Sequence, residues 1–248
     1  MTKTKLETFI KKYSLGNTLD SVRWTVKDGL LKVGEMTSDK KLLVNVEMNN
    51  FDAFKDTEFV VRDTPRLKAL LAGLEENITI DLTSGDDNKD RIILATIGDE
   101  DNRFEYNTGA DADDLPPKPK IMNIPGYDVE VVLNEKFVNS FSKGKAALSE
   151  VNLFTLVMNK KKKLEMVIGY SSNINTDRYI LGLKTVEGKD AVKEPISFSA
   201  NVLKEILAAN SEVKDPVLKV SEQGLAYIEF VNDDFKAKYY MIKIPVED

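Results

Sequence analysis

The sequence predicts an α+β fold made by duplication: two domains, each with two short helices packed on antiparallel sheets. Three observations carry this expectation. Segments with a helical apolar period come in two pairs, one before residue 106 and one after residue 126. Between the helices the chain reads as short alternating runs broken by turn residues. Half of the eight prolines (Pro116, Pro117, Pro119 and Pro125) fall in one stretch whose start is acidic, with Asp111, Asp113 and Asp114. The expected organisation is an N-terminal domain 1–106, an extended connector 107–125 and a C-terminal domain 126–248.

The helices follow from their stripes. In the first, Leu6, Phe9, Ile10 and Tyr13 fall at i, i+3, i+4 and i+7, with Thr4 as the expected cap and Glu7 completing a capping box. The second carries Leu67, Leu70, Leu71 and Leu74 behind Thr64 as cap, with Pro65 at its first position. The third follows Asn134 and turns Phe137, Val138 and Phe141 inward, with Gly144 placed to end it. The fourth follows Ser199 and carries Val202, Leu203, Ile206 and Leu207.

The strands follow from alternation and turns. Residues 22–26 and 30–33 flank Lys27-Asp28-Gly29, and 41–48 continues the meander. A second set comprises 78–82 and 91–96 around a polar turn at 85–88. The C-terminal half repeats the layout with 152–158, 164–170 and 178–185, then 217–220, 225–230 and 236–244 after the fourth helix. The turns there are Asn159 to Lys163 and Glu222-Gln223-Gly224.

Composition removes most chemistry. The chain has no cysteine and no histidine, so it offers no disulfide, no usual catalytic triad and no ordinary zinc site. No enzyme, metal or cofactor is expected. Asp86-Asp87-Asn88-Lys89-Asp90 and Asn232-Asp233-Asp234 lack calcium-loop spacing and read as hairpin turns. No apolar run reaches a membrane span, and the N-terminus lacks an apolar signal core, so a cytoplasmic chain is expected.

Charge is distributed unevenly. The net charge is −6. The helical segments 3–14, 65–74, 135–147 and 201–210 nevertheless carry Lys3, Lys5, Lys11, Lys12, Arg66, Lys68, Lys136, Lys143, Lys145 and Lys204 against only Glu7, Glu135 and Glu205. That is about +7 on the helices. Helices with one apolar face on a sheet and one basic face in water suit a polyanion such as the DNA backbone. No helix carries the Asn, Gln and Arg clusters of base readout, so contact is expected with phosphates, indifferent to sequence.

The duplicated two-helix domains, basic helices and long connector together resemble a DNA polymerase sliding clamp. The motifs are Gly224-Leu225-Ala226-Tyr227-Ile228-Glu229-Phe230, then Ala237-Lys238-Tyr239-Tyr240-Met241 and the ending Ile244-Pro245-Val246-Glu247-Asp248. They are similar to the last hairpin and tail of proliferating cell nuclear antigen. Gly29-Leu30-Leu31-Lys32-Val33 with Met36 and residues 42–46 resembles that family's first domain. The short chain and missing third repeat look most like clamps of tailed bacteriophages; a viral chain would be expected in the host cell cytoplasm.

The resemblance implies a homotrimer, since a three-domain bacterial subunit exceeds this length. Six domains would close a ring whose twelve helices face double-stranded DNA, the ten basic residues above making the contacts. Edge strands near residues 67–82 and 164–185 would join the subunits. The implied partners are duplex DNA, a DNA polymerase, a clamp loader and further copies of the chain, with no membrane. The implied pocket for partner peptides comprises Met36, Leu42, Val44, Leu115, Ile121, Ile124, Tyr240 and Pro245. Two rivals are a non-catalytic scaffold of the same fold and a monomeric processivity factor that closes no ring.

Overall fold

The computed structural model describes residues 1–86, 91–108, 126–171, 176–183, 186–188 and 192–245. The packing divides into two compact units. Met1–Thr37, Leu43–Lys120 and Val231–Ala237 make up the first; Ser38–Leu42, Ile121–Phe230 and Lys238–Asp248 make up the second.

In the first unit, helix α1 (Lys3–Ser14) buries Leu6, Phe9, Ile10 and Tyr13 completely, as its period requires. Its cap is Thr2, whose side chain accepts from the Lys5 N–H at 3.3 Å, and not Thr4. The helix starts early because Met1 to Lys3 are held against residues 76–78: the Lys3 N–H donates to the Glu76 carbonyl at 2.7 Å and the Ile78 N–H to that of Met1 at 3.1 Å. The Thr4 hydroxyl donates to the Glu76 carboxylate at 2.8 Å instead.

Helix α2 (Thr64–Leu71) likewise begins one residue earlier than its pattern suggests. Asp63 caps it, accepting from the Arg66 N–H at 2.8 Å, while the Thr64 hydroxyl is buried 3.3 Å from that of Tyr13. The Tyr106 hydroxyl exchanges hydrogen bonds with the Asp63 backbone, accepting at 2.8 Å and donating at 3.0 Å, which fixes the start of this helix.

Strands β1 (Val22–Lys27), β2 (Leu30–Met36), β3 (Leu42–Met48) and β4 (Thr57–Val61) lie in the order β3-β2-β1-β4. Strands β5 (Thr79–Ser84), β6 (Ile92–Gly98) and β7 (Arg103–Asn107) form a separate antiparallel meander. The centre of this core is Trp24, edge-on to Phe9 and Tyr13 at 5.8 and 6.4 Å and tilted on Phe59 at 5.7 Å.

The second unit repeats the plan. It contains β8 (Val129–Val132), α3 (Glu135–Ala147), β9 (Leu153–Met158), β10 (Leu164–Ile168), β11 (Tyr179–Gly182), β12 (Val186–Glu187), β13 (Ile196–Ser199), α4 (Ala200–Ala209), β14 (Val217–Ser221), all but the last residue of β15 (Leu225–Val231) and the later part of β16 (Phe235–Ile242), from Lys238 on. The order β11-β10-β9-β13 matches β3-β2-β1-β4, and the β14–β15–β16 meander matches β5–β6–β7. Strand β8, which pairs with β14, has its counterpart in the single bridge between Thr2 and Asn77. The first repeat therefore keeps only a stub of its opening strand.

Asn134 and Ser199 cap α3 and α4 as expected. Gly144 does not end α3, which continues to Ala147. The glycine serves packing instead: a Cβ there would lie 2.5 Å from the Tyr179 ring. Phe141, Phe154 and Phe198 line up through the core at centroid separations of 6.2 and 5.6 Å. Asn210, buried after α4, donates to the Ile206 carbonyl at 2.8 Å and to the Tyr239 hydroxyl at 2.9 Å. No helix among the described residues is long and apolar enough to cross a membrane.

Candidate nucleic-acid interface

Each unit contributes two helices packed together, α1 with α2 and α3 with α4. Because each buries its apolar stripe on a sheet, its opposite face meets water. On those faces Lys11, Arg66, Lys136, Lys143 and Lys204 are exposed and Lys68 is half-buried. Around them stand small or uncharged residues: Thr4, Ala69, Asn139, Ser142, Ala146, Asn201 and Ala208. Such a surface holds positive charge on long flexible stems above a low backbone, suited to phosphates.

The other four basic residues of the sequence pattern are held by the fold. Lys12 is 1% exposed, with its ammonium 5.4 Å from the centre of the Phe235 ring. Lys145 is 5% exposed and donates to the carbonyls of Leu148 at 3.5 Å and Ser149 at 2.7 Å, at and just past the C-cap of α3. Lys3 donates to the Leu74 carbonyl. Lys5 pairs with Asp234 at 2.9 Å and donates to the Asn49 carbonyl at 3.1 Å. Solvent-facing helix charge is therefore smaller than the sequence sum: six basic side chains against Glu7, Glu135 and Glu205, or about +3.

The residues of the expected peptide pocket differ in exposure. Leu42 and Val44 are 2% and 0% exposed and serve the core, Met36 is half-buried and Pro245 is exposed. Leu115, Ile121 and Ile124 lie outside the described residues, as do Asp87 to Asp90 of the acidic turn. In the other acidic turn, Asn232 Oδ1 accepts from the N–H groups of Asp234 at 3.1 Å and Phe235 at 2.7 Å, which is turn chemistry.

Tyr240 belongs to a cluster that the sequence pattern did not single out. Tyr127 stacks on Tyr227 at 5.4 Å, and Tyr227 tilts on Tyr240 at 4.9 Å. The Tyr227 hydroxyl donates to Glu229 at 2.8 Å. Burial pushes the Tyr127 phenol up to about 12 and also raises Tyr227 and Tyr240, so all three stay neutral donors at physiological pH. Three half-buried aromatic rings on one sheet face provide an apolar platform with polar tips. The alternation Leu225-Ala226-Tyr227-Ile228 was the available signal, since it points Tyr227 away from the core.

The fold is that of the PCNA sliding clamps. The chain superposes on proliferating cellular nuclear antigen from Entamoeba histolytica with a TM-score of 0.68 and 15% identity, covering 98% of this chain and 96% of that one. The corresponding values for PCNA from Thermococcus kodakaraensis are 0.69, 15%, 98% and 98%. For the PCNA2–PCNA3 complex from Sulfolobus tokodaii they are 0.68, 10%, 98% and 97%. The likeness to tailed-bacteriophage clamps read from the sequence gains no support from these three. No family model matches the sequence, and no curated protein matches it.

Proposed function

We propose that this protein is a sliding clamp: a non-catalytic ring that encloses double-stranded DNA and tethers a DNA polymerase for processive synthesis. One observation carries the reading. In a chain of net charge −6, the solvent faces of the four helices together carry about +3, concentrated on α2 and α3, in a fold shared with PCNA. The repeats 1–106 and 126–248, joined by the connector 107–125, would each present one helix pair to the DNA. Three chains would place six pairs around the duplex, with Lys11, Arg66, Lys68, Lys136, Lys143 and Lys204 of each chain facing phosphates. At about +3 per chain these contacts are weak and numerous, so none fixes a register and the ring slides. The acidic remainder repels DNA from the outside.

Ring closure needs unpaired sheet edges. Strand β11 is an edge strand and exposes Ile180 at 53%. A cleft of about 230 Å³ beside it is lined by Phe137, Ser140 and Tyr179. Pairing this edge with an edge of the β5–β6–β7 meander of the next copy would bury both. The Tyr127, Tyr227 and Tyr240 platform is the proposed docking surface for peptide segments of the polymerase and the clamp loader, acting in the cytoplasm. Native mass spectrometry tests the assembly: a particle of three chains is expected, and a stable single chain of 27.9 kDa at all concentrations would refute ring closure.

A further inference from the structure

Four successive lysines, Lys160 to Lys163, form the tip of the β9–β10 hairpin and take no part in the helix faces. We propose that this tip is a separate nucleic-acid contact, binding backbone phosphates away from the helices. The inference rests on the DNA-clamp reading for its choice of polyanion.

The turn is built to hold its shape. Asn159 Oδ1 accepts from the N–H groups of Lys161 at 2.9 Å and Lys163 at 3.0 Å, and its Nδ2 donates to Glu165 at 2.6 Å. Backbone bonds from Lys162 to the Asn159 carbonyl (3.0 Å) and from Asn159 to the Lys163 carbonyl (2.9 Å) close it. All four lysines are exposed.

Like Lys40 at φ 59° in the β2–β3 turn, Lys162 sits at φ 55°, in the left-handed region that asparagine or glycine occupies at less cost. Its counterpart in the first repeat, the β1–β2 turn, uses Asp28 and Gly29 at φ 51° and 73°. The β14–β15 and β15–β16 turns carry Glu222 and then Asp233 and Asp234. The β2–β3 turn carries Lys40 and Lys41 beside Asp39, so among the described hairpin turns this one holds the largest positive charge, four lysines with no acidic residue among them. It has no apolar side chain, and lysine is depleted from protein–protein interfaces, so a protein partner fits it poorly. Compact point charges on flexible stems suit a phosphate backbone bound without sequence preference.

The test is a fluorescence-anisotropy titration of the full chain against a short labelled duplex, between about 25 and 150 mM salt. The hairpin variant K160Q/K161Q/K162Q/K163Q keeps Asn159; the all-arginine version and a helix variant, K11Q/K143Q/K204Q, run in parallel. The hairpin variant should bind about tenfold more weakly at low salt, its log–log salt slope falling by about 3. Its unfolding midpoint should not move, and the arginine version should retain both affinity and slope. An unchanged affinity and slope overturns the proposal even where the helix variant binds poorly, and the clamp reading then stands alone. Loss confined to the hairpin variant supports the proposal and sinks the helix contacts. Absence of duplex binding by the parent chain overturns the proposal and leaves the clamp reading to the topological test. Binding of polyglutamate that depends on the four lysines, with duplex affinity unmoved, also overturns the proposal.

Discussion

Lys11 and Lys12 are neighbours in sequence and belong to different physical systems, so replacing each by alanine separates fold from function. Lys12 is 1% exposed and its ammonium lies 5.4 Å from the Phe235 ring centre. Truncation to alanine removes roughly three buried methylenes, at about 0.8 kcal/mol each. The desolvated cation–π contact adds about 1–2 kcal/mol. Relief of the ammonium's own desolvation offsets part of this, leaving a net loss of about 2–3 kcal/mol. Lys11 is exposed, so Lys11→Ala should change stability by no more than about 0.5 kcal/mol. It should instead lower the salt slope of DNA association by about 0.9 for each phosphate that is no longer neutralised. Urea denaturation at one fixed protein concentration reads the first effect, and anisotropy over a salt series reads the second. The reasoning fails if Lys12→Ala keeps the parent's urea midpoint while flattening the salt dependence as Lys11→Ala does.

Further outcomes follow from single contacts. Gly144→Ala gains about 1 kcal/mol of helix propensity, yet should destabilise by about 1–2 kcal/mol, because the new methyl meets the Tyr179 ring. Thermal melts should show that cost vanish when Tyr179→Ala accompanies it. Asn210→Ala should cost about 1–3 kcal/mol by chemical denaturation, because its bonds to Tyr239 and the Ile206 carbonyl disappear. Burial raises Tyr13, Tyr106, Tyr127, Tyr227, Tyr239 and Tyr240 above the ordinary phenol value. A raised folded-state value favours the neutral form. Its stabilisation is complete below the unfolded value of about 10 and is lost as pH rises toward the folded values. In a spectrophotometric titration, phenolate absorbance from these six should appear together with alkaline unfolding; their ionisation near pH 10 in the folded protein would contradict the packing.

The repeat was legible because helix stripes and hairpin turns are local signals. Leu6, Phe9, Ile10 and Tyr13 needed only their spacing, and Asp28-Gly29 only its turn chemistry. Helix starts were harder. Thr2 caps α1 because residues 76–78 hold Met1 to Lys3, a long-range pairing with no local mark. Strand β4 was missed because its burial runs half, half, buried, buried, buried without alternation. Strand β7 alternates Phe104 and Tyr106 with charged neighbours, but it is five residues long and adjoins the connector. At the candidate site, composition identified the basic helices and could not separate surface from interior. Lysine stems pack against apolar surface as readily as they extend into water, so Lys12 and Lys145 share a pattern with Lys11 and Lys143. The tyrosine platform joins Tyr127 to residues a hundred positions later, which spacing alone does not reveal.

Enclosure of DNA is the central claim, and topology tests it without dependence on affinity. The protein would be loaded on nicked circular duplex with the loader of its own source, separated from free protein by gel filtration, and the DNA then cut once. The account predicts retention on the circle, resistance of that retention to salt that abolishes binding to short duplexes, and release on linearisation as the ring slides off. Equal retention on circular and linear DNA, or release from the circle at the salt that frees short duplexes, would contradict it.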